Sequence, residues 1–262
     1  MSDILSESYA YFRSHGISIS GITHRGALNV VMKGRSTGRD LAAKILMEDR
    51  EELRNNFRCE VKILRHLKGA KGIPVIRVHD EFKGHPFHVC DWTYGRSFEQ
   101  HVCVCASVAD AARLALEACE VVDQLHSAGI VHRDISPDHL IRDQDTSLID
   151  FGMARFTRKL SRQQRAKYVS YDVQALGLVF WEMIAGRRMF YYRNASLNLQ
   201  LEQKTCAIPT SIPAAIRTLL LRIANTDSEF RAGRRNDAGI RSLGHLRDLL
   251  EPLQHVESEC SS

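Results

Sequence analysis

Two short stretches decide the fold of this chain: Val131-His132-Arg133-Asp134-Ile135-Ser136-Pro137-Asp138-His139-Leu140-Ile141 and, sixteen residues after Asp134, Leu148-Ile149-Asp150-Phe151-Gly152. The turn formers Asp143-Gln144-Asp145 lie between them and suit the tip of a hairpin. Before them, an apolar stripe at helical spacing ends near Gly129, and its members are Leu114, Ala118, Val121 and Leu125. The sequence therefore predicts two aspartates on loops that flank a small hairpin and follow an amphipathic helix.

The two triplets His132-Arg133-Asp134 and Asp150-Phe151-Gly152 resemble those of protein kinases, in which H-R-D precedes D-F-G. The resemblance implies an α+β, two-lobed protein-kinase-like fold. It implies a β-rich N-lobe with one long helix over residues 1–94, a larger and mainly α C-lobe over 95–252, and a frayed tail over 253–262. It also implies ATP and Mg²⁺ as cofactors and transfer of the γ-phosphate to a hydroxyl group.

The N-terminal third has the period of strands and one long helix. Short apolar runs broken by glycine predict a β-meander over 17–47, and apolar residues at spacings of four, four and three predict a helix over 48–67. A short helix is predicted over 3–14, and further strands over 74–82 and 86–92. From about residue 106 the chain is mainly helical, with helices predicted at 172–186, after Pro213 and at roughly 236–250.

The resemblance assigns a charged pair to the N-lobe. Leu41-Ala42-Ala43-Lys44 supplies the strand lysine that holds the α- and β-phosphates, and Glu60 supplies the helix glutamate that orients it. Glu60 lies close to the apolar face of its predicted helix, so we expect a buried pair rather than a solvated charge.

The glycine-rich loop of the family is matched in part. In Gly21-Ile22-Thr23-His24-Arg25-Gly26-Ala27-Leu28 the outer glycines agree, whereas Thr23 replaces the middle glycine. Glycines let backbone N–H groups approach phosphate closely, so Thr23 predicts a stiffer flap.

An adenine slot follows from the same resemblance. Cys90 falls at the gatekeeper position, and the backbone of Asp91, Trp92 and Thr93 is expected to hydrogen-bond the base. The side chains expected to sandwich the ring are Leu28, Ala42 and Ile141. Plain core packing is the alternative for these apolar residues.

Roles for the remaining residues follow from phosphoryl-transfer chemistry. Asp134 is expected to orient the hydroxyl and accept its proton, Asp150 to bind Mg²⁺, and Lys44 to neutralise the phosphates. His132 and Phe151 are interpreted as packing supports. Asp172, which opens a D-x-x-x-x-G helix, is expected to anchor the loop backbone, and Arg231 resembles the arginine between the last two helices.

Three departures leave the acceptor open. His139 stands where kinases place a metal-binding asparagine, which suggests one metal or the use of Mn²⁺, and it is similar to lipopolysaccharide-core sugar kinases. Ser136 stands where Ser/Thr protein kinases carry lysine. Only 22 residue steps separate Asp150 from Asp172, and no A-P-E lies between them, so the activation segment is short.

The short segment Arg155–Lys167 holds six basic residues and no acidic one. It is interpreted either as a solvated loop or as a surface that attracts an acidic or phosphate-bearing acceptor. A phosphorylated sugar, an anionic lipid surface, an acidic peptide or a nucleic acid carries such charge. The overall net charge of +5 is too mild to indicate nucleic-acid binding.

The start of the sequence and its apolar stretches predict a cytoplasmic protein. Its start lacks a basic and apolar signal sequence, and the most apolar stretch, 176–185, is about half a membrane span. The seven cysteines include no C-x-x-C pair, and His101 with Cys103 and Cys105 suggests at most half of a metal site.

Three functions stay open from the sequence. The first is a kinase for serine or threonine hydroxyls of proteins. The second is a kinase for a small or glycolipid acceptor such as a lipopolysaccharide-core sugar. The third is a nucleotide-binding pseudokinase scaffold.

Overall fold

The computed structural model describes residues 2–26, 28–102, 107–186, 214, 216–218, 240 and 242–255. Helices and antiparallel strands occupy separate stretches of the chain, which confirms the predicted α+β class. The chain divides into two compact units, called here the small unit (Met1–Tyr94 with Phe151–Met153) and the large unit (Gly95–Asp150 with Ala154–Ser262). Among the described residues, none of the helices combines the length and apolar character that crossing a membrane needs.

The small unit is a five-stranded antiparallel sheet of strand order β1-β2-β3-β5-β4 with two helices. Its elements are α1 (Ser2–Ser14), β1 (Ser18–Arg25), β2 (Asn29–Ser36), β3 (Arg39–Leu46), α2 (Glu51–His66), β4 (Ile76–Phe82) and β5 (His85–Asp91). The predicted meander, long helix and paired strands are thereby confirmed, as is the short N-terminal helix.

Two tight hairpins set the register of this sheet. Thr37 and Gly38 join β2 to β3, and Lys83 and Gly84 join β4 to β5; all four have positive φ. Two-residue loops with positive φ at both positions match the right-handed twist of the flanking strands. Between the two hairpins, β3 pairs with β5 in a register that places Lys44 opposite His88.

Alternation along the strands gives the sheet two different faces. One face is an apolar core in which Leu5 and Phe12 of α1 pack with inward residues of three strands, namely Val30, Met32, Leu41, Ala43, Ile45, Phe87 and Val89. The opposite face carries Lys44 and receives α2, whose buried residues are Phe57, Glu60, Val61, Ile63 and Leu64. A charged residue on β3 is therefore directed at a helix rather than at the core.

The large unit is mainly helical and contains two small antiparallel sheets. Its elements are β6 (Arg96–Ser97), α3 (Phe98–Val102), α4 (Val108–Ser127), β7 (Ile130–Val131), β8 (Leu140–Arg142), β9 (Thr146–Leu148), β10 (Arg155–Phe156), a 3-10 helix (Thr157–Lys159), α5 (Arg162–Ala185), α6 (Leu243–Leu250) and a second 3-10 helix (Glu251–His255). The predicted hairpin tip at 143–145 joins β8 to β9 and is confirmed.

Gly95 brings the start of the large unit close to the β8–β9 hairpin. Its φ is +118°, and a Cβ atom built on it would lie 2.3 Å from the carbonyl oxygen of Arg142. Only glycine fits such an approach, so β6 can pair with β8 directly after it.

Helix α5 begins ten residues earlier than predicted, at Arg162 instead of 172. A capping box starts it: the Ser161 side chain accepts from the Gln164 N–H, and the Gln164 side chain accepts from the Ser161 N–H. Residues 161–167 are all exposed and so show no apolar period in the sequence. The predicted end is correct, because Gly186 takes a left-handed conformation there.

Parts of the later predictions lie outside the described residues. They include Pro213, Leu220 and Ile223 of one predicted helix, although Ile216 is helical and buried. Arg231 and residues 236–239 of the last predicted helix also lie outside, and the described part of that helix starts at Leu243. Cys103 and Cys105 are outside as well.

Candidate active site

In the small unit, Lys44 of β3 and Glu60 of α2 form a buried ion pair. Lys44 Nζ donates to both carboxylate oxygens of Glu60, at 2.9 and 3.1 Å, and the two side chains are 9% and 3% exposed. Burying either charge alone would cost several kcal/mol, so each stabilises the burial of the other. The structure brings together the two side chains that were expected to pair; their roles in phosphate binding stay predictions.

Two more polar side chains lie on the same face, and sequence reasoning missed one of them. His88 of β5 is buried, with Nε2 3.4 Å from Glu60 Oε1 and Nδ1 3.5 Å from the Cys90 sulfur. Burial raises the pKa of the Cys90 thiol to about 12, so it stays protonated at neutral pH. A prediction that β3 pairs with β5 would have placed His88 beside Lys44 and so identified it as a site residue.

The end of β5 limits which backbone groups could bind adenine, and the adenine slot itself stays a prediction. The N–H of Asp91 donates to Val75 O at 2.9 Å, and the N–H of Trp92 donates to Asp40 O at 3.0 Å. These two amides are therefore committed within the small unit and are not available to a base. The N–H of Thr93 has no such bond within the described part of the chain.

The glycine-rich stretch forms the end of β1. Gly21 and Thr23 lie in the strand, where the register with β2 shifts twice, and the exposed Thr23 hydroxyl donates to Val31 O at 3.2 Å. The N–H of Gly26 donates to Asn29 O at 3.0 Å. A threonine hydroxyl tied to the neighbouring strand agrees with a stiffer flap than glycine would give.

Three expected ring contacts fall in different units. Leu28 and Ala42 belong to the small unit and are half-buried. Ile141 lies in β8 of the large unit and is half-buried too. Their role as a sandwich stays a prediction.

In the large unit, the two aspartate loops contain strained backbone. Arg133 and Asp150 have φ of +71° and +61°, a conformation that non-glycine residues rarely adopt. The surrounding structure must hold such residues in place, at a cost of about 1–3 kcal/mol each. Strain at both motifs is typical of functional loops.

Asp172 of α5 anchors the first of these loops, as predicted. Its carboxylate accepts the N–H groups of His132 and Arg133, at 2.8 and 2.7 Å, and lies 2.9 Å from His126 Nε2. It is 1% exposed, so three donors compensate a buried charge. The loop that carries Asp134 is therefore fixed by a helix forty residues away in the chain.

His132 is a structural residue. Its ring is fully buried, its Nδ1 accepts the N–H of Asp134 at 3.3 Å, and burial lowers its pKa to about 4. A neutral ring that is closed to solvent cannot exchange protons with a substrate, which agrees with the predicted packing role.

His139 lies among three carboxylates. Its Nδ1 is 2.7 Å from the backbone oxygen of Asp134, and its Nε2 lies 3.8 Å from Asp150 Oδ2 and 3.9 Å from Asp138 Oδ2. A carbonyl oxygen only accepts, so Nδ1 carries a proton in this contact, and Nε2 faces the carboxylates of Asp138 and Asp150.

This donor set fits a divalent ion shared with phosphate. Two ligands at about 2.1 Å from one ion can be no more than about 4.2 Å apart, and His139 Nε2 and Asp150 Oδ2 satisfy that limit at 3.8 Å. No group of three or more protein ligands occurs among the described residues. Phosphate oxygens and water would have to complete the shell, as is usual for Mg²⁺.

The basic segment Arg155–Lys167 is not the loop that one interpretation expected. It consists of β10, a 3-10 helix and the first turns of α5. Five of its cations have no ion pair with a described residue, and they are Arg158, Lys159, Arg162, Arg165 and Lys167. They form an exposed, ordered positive surface.

Comparison with known proteins gives one family. The model of the protein kinase domain matches residues 22–238 of this chain. Serine/threonine-protein kinase PKH1 of Saccharomyces cerevisiae is 24% identical over 238 residues, which cover 75% of this chain and 31% of PKH1. CDPK-related kinase 7 of Arabidopsis thaliana is 26% identical over 192 residues, which cover 63% of this chain and 33% of that kinase.

A third relative is shorter in its match. Calcium/calmodulin-dependent protein kinase type II of Caenorhabditis elegans is 32% identical over 143 residues, half of this chain and 19% of that protein. The chain thus spans a third or less of the length of these relatives.

Proposed function

Because this chain belongs to the protein kinase family, we propose that it transfers the γ-phosphate of ATP to the hydroxyl of a serine or threonine side chain. The observation that carries the proposal is the buried pair in which Lys44 donates to both oxygens of Glu60. Such a pair keeps an ammonium at a fixed position for phosphate. Two yeast relatives are named serine/threonine kinases, which favours a protein acceptor.

The units take different tasks in this proposal. Residues 1–94 form the nucleotide lobe, residues 95–252 the acceptor lobe, and residues 253–262 a tail. The N–H of Thr93 and the carbonyl oxygen of Asp91 bind the adenine edge. Cys90 closes the slot, and Leu28, Ala42 and Ile141 contact the ring. Gly21, Thr23 and Gly26 cover the phosphates.

Asp134 is the proposed base. The acceptor oxygen forms a bond to the γ-phosphorus while the bond from that phosphorus to the β–γ bridging oxygen breaks, and ADP leaves. The acceptor proton passes to the Asp134 carboxylate. Asp172 holds the backbone of this loop. The Asp134 carboxylate is therefore oriented before the hydroxyl binds, which lowers the entropic cost of the reaction.

Asp150 and His139 are the proposed metal ligands, with Mg²⁺ or Mn²⁺ as the ion. A bound ion of this kind neutralises charge that develops on the phosphate oxygens. His139 Nδ1 is held by the Asp134 carbonyl oxygen, so its ring orientation is set before any ion binds.

The exposed basic surface favours an acidic or phosphorylated acceptor. Five cations on an ordered segment raise the local concentration of anionic partners and speed their approach. This attraction is independent of the chemistry at Asp134, so it acts on acceptor binding.

A second candidate is a kinase for a small or glycolipid sugar acceptor. The observation that favours it is the early start of α5, which leaves only residues 153–161 between Gly152 and the helix. So short a stretch offers little surface for an extended peptide.

One experiment separates the candidates. The protein is incubated with labelled ATP, with Mg²⁺ or Mn²⁺, and with either cell-lysate proteins or a sugar extract, alongside an Asp134→Ala variant. Label on serine or threonine that depends on Asp134 supports the first proposal, and label on sugar alone supports the second. ATP binding without transfer to either acceptor points to a scaffold.

A further inference from the structure

His88 is the point at which helix α2 meets strand β5. Its ring packs against the Phe57 ring with centroids 5.0 Å apart, and its Nε2 faces Glu60 Oε1 at 3.4 Å. Phe57 and Glu60 are three residues apart on α2 and so lie on the same side of the helix. One imidazole thus contacts two successive positions of that side.

The other ring nitrogen completes a buried polar chain. His88 Nδ1 lies 3.5 Å from the Cys90 sulfur, and the thiol stays protonated and can donate to it. The proton of a neutral ring is then on Nε2, which lies 3.4 Å from Glu60 Oε1 but makes no hydrogen bond with a described residue. Lys44, which is the cross-strand partner of His88, donates to the same carboxylate.

The burial of this ring needs a reason. The His88 side chain is 6% exposed and sits among Phe57, Cys90 and the ion pair. A leucine or phenylalanine would bury more cheaply there, because burying a polar group costs free energy unless it is compensated. Nε2–H makes no hydrogen bond within the described part of the chain, so the compensation left to it is its electrostatic attraction to the Glu60 carboxylate.

We infer that His88 is a positioning residue: its ring face docks α2 on β5, and the attraction between its Nε2–H and the carboxylate holds Glu60 toward Lys44. Its functional part rests on the proposed kinase activity, whereas its structural part does not. Without the histidine edge the Glu60 side chain gains freedom, and Lys44 meets the ATP phosphates less often in the correct position.

Three variants separate the effect of the His88 ring face from that of its Nε2–H edge. His88→Phe keeps an aromatic face and removes the nitrogen, whereas His88→Gln keeps an amide N–H near the position of Nε2 and loses the ring. His79→Leu is the matched control, because His79 lies opposite His88 on β4 and is exposed.

Steady-state kinetics and hydrogen exchange test the inference. We expect His88→Phe to raise the KM for ATP about tenfold, because an electrostatic contact with a buried carboxylate is lost, with an unchanged thermal midpoint. His88→Gln should restore most of that loss, and His79→Leu should match the wild type. In a Glu60→Gln background, His88→Phe should add no further loss, since both act through one contact.

Hydrogen–deuterium exchange over 51–66 gives a readout that does not need activity. Faster exchange of α2 in His88→Gln, which loses the ring, than in His88→Phe, which keeps it, supports docking even if the wild type transfers no phosphate, in which case only the proposed kinase function fails. If the wild type is active and His88→Phe matches it in KM, or if His88→Gln leaves the exchange of α2 at the wild-type rate, the inference is overturned. Additive losses with Glu60→Gln would overturn it as well.

Discussion

In the small unit, the Lys44–Glu60 pair is carried by a strand and a helix, whereas in the large unit Asp134 and Asp150 stand on loops with strained backbone. The pair is almost closed to solvent, but the Asp134 and Asp150 side chains are 17% and 36% exposed. In the small unit each buried charge is therefore neutralised by its partner. In the large unit the two carboxylates are partly exposed to solvent on anchored loops. The difference predicts that damage to the first lowers stability and activity together, whereas damage to the second lowers activity alone.

The largest effect is expected from Lys44→Met, which leaves Glu60 buried without its cation. Breaking one side of a buried pair costs about 3–5 kcal/mol of unfolding free energy, and ATP turnover should fall at least about a hundredfold. Urea unfolding and an ATPase assay measure the two losses.

A double variant sharpens this test. Lys44→Met with Glu60→Leu should recover most of the stability and none of the activity, because an apolar pair needs no compensation. Arg58→Met, at an exposed ion pair of the same helix, should leave the unfolding midpoint almost unchanged. Equal losses of unfolding free energy in Arg58→Met and Lys44→Met would show that the burial of the Lys44–Glu60 pair does not affect stability.

Asp134→Ala tests the other region. Loss of the base should lower kcat at least about a hundredfold, close to 2.7 kcal/mol, with little change in thermal midpoint because Asp134 is partly exposed. Asp143→Asn, at the exposed hairpin tip, is the control. Turnover by Asp134→Ala at the wild-type rate would refute the assigned role, and a collapse of its stability would erase the contrast with Lys44.

The regular elements were predictable because buried and exposed residues recur along them with the period of a helix or a strand. The period of four, four and three over 53–64 gave α2, and the glycine-broken runs gave β1 to β3. Helix α5 began too late in the prediction because its first turns contact no core. Its actual start is set by a local capping box at Ser161 and Gln164, which is a weaker signal in the sequence.

Site residues on motifs were found by resemblance, and those that depend on tertiary register were missed. His88 matters only because Lys44 lies opposite it and Phe57 lies above it, and neither relation can be read along the chain. The commitment of the Trp92 amide to Asp40 likewise joins residues more than fifty positions apart. The positive φ of Asp150 is a property of the folded loop and cannot be predicted from the residue type.

His132 should make the unfolding free energy depend on pH. Its pKa is about 4 in the folded chain and about 6.5 when unfolded, so between these values the unfolded state binds more protons. Stability is complete above about pH 6.5 and falls as the pH drops toward 4, with about 2 kcal/mol lost by pH 5. Urea unfolding at several pH values measures this loss.

His132→Asn keeps an acceptor for the Asp134 N–H and removes the titration. It should be less stable at pH 7.5, yet lose about 2 kcal/mol less than the wild type between pH 7.5 and 5. Parallel pH profiles for the two proteins would mean that His132 is not the buried neutral ring described above.

The smallest effect concerns which ion the large unit prefers. His139 Nε2 faces Asp150 Oδ2 at 3.8 Å, where the family carries an asparagine oxygen, and Mg²⁺ binds imidazole poorly. His139→Asn should therefore raise kcat/KM with Mg²⁺ relative to Mn²⁺ by about tenfold, or 1.4 kcal/mol. The ratio is taken within each protein, so general damage from the substitution cancels. Electron spin echo spectra of Mn²⁺ with a non-hydrolysable ATP analogue should show nitrogen coupling in the wild type and lose it in the variant. An unchanged metal ratio together with unchanged nitrogen coupling would assign His139 to orienting the Asp134 loop alone, and the two regions would then differ in burial but not in metal chemistry.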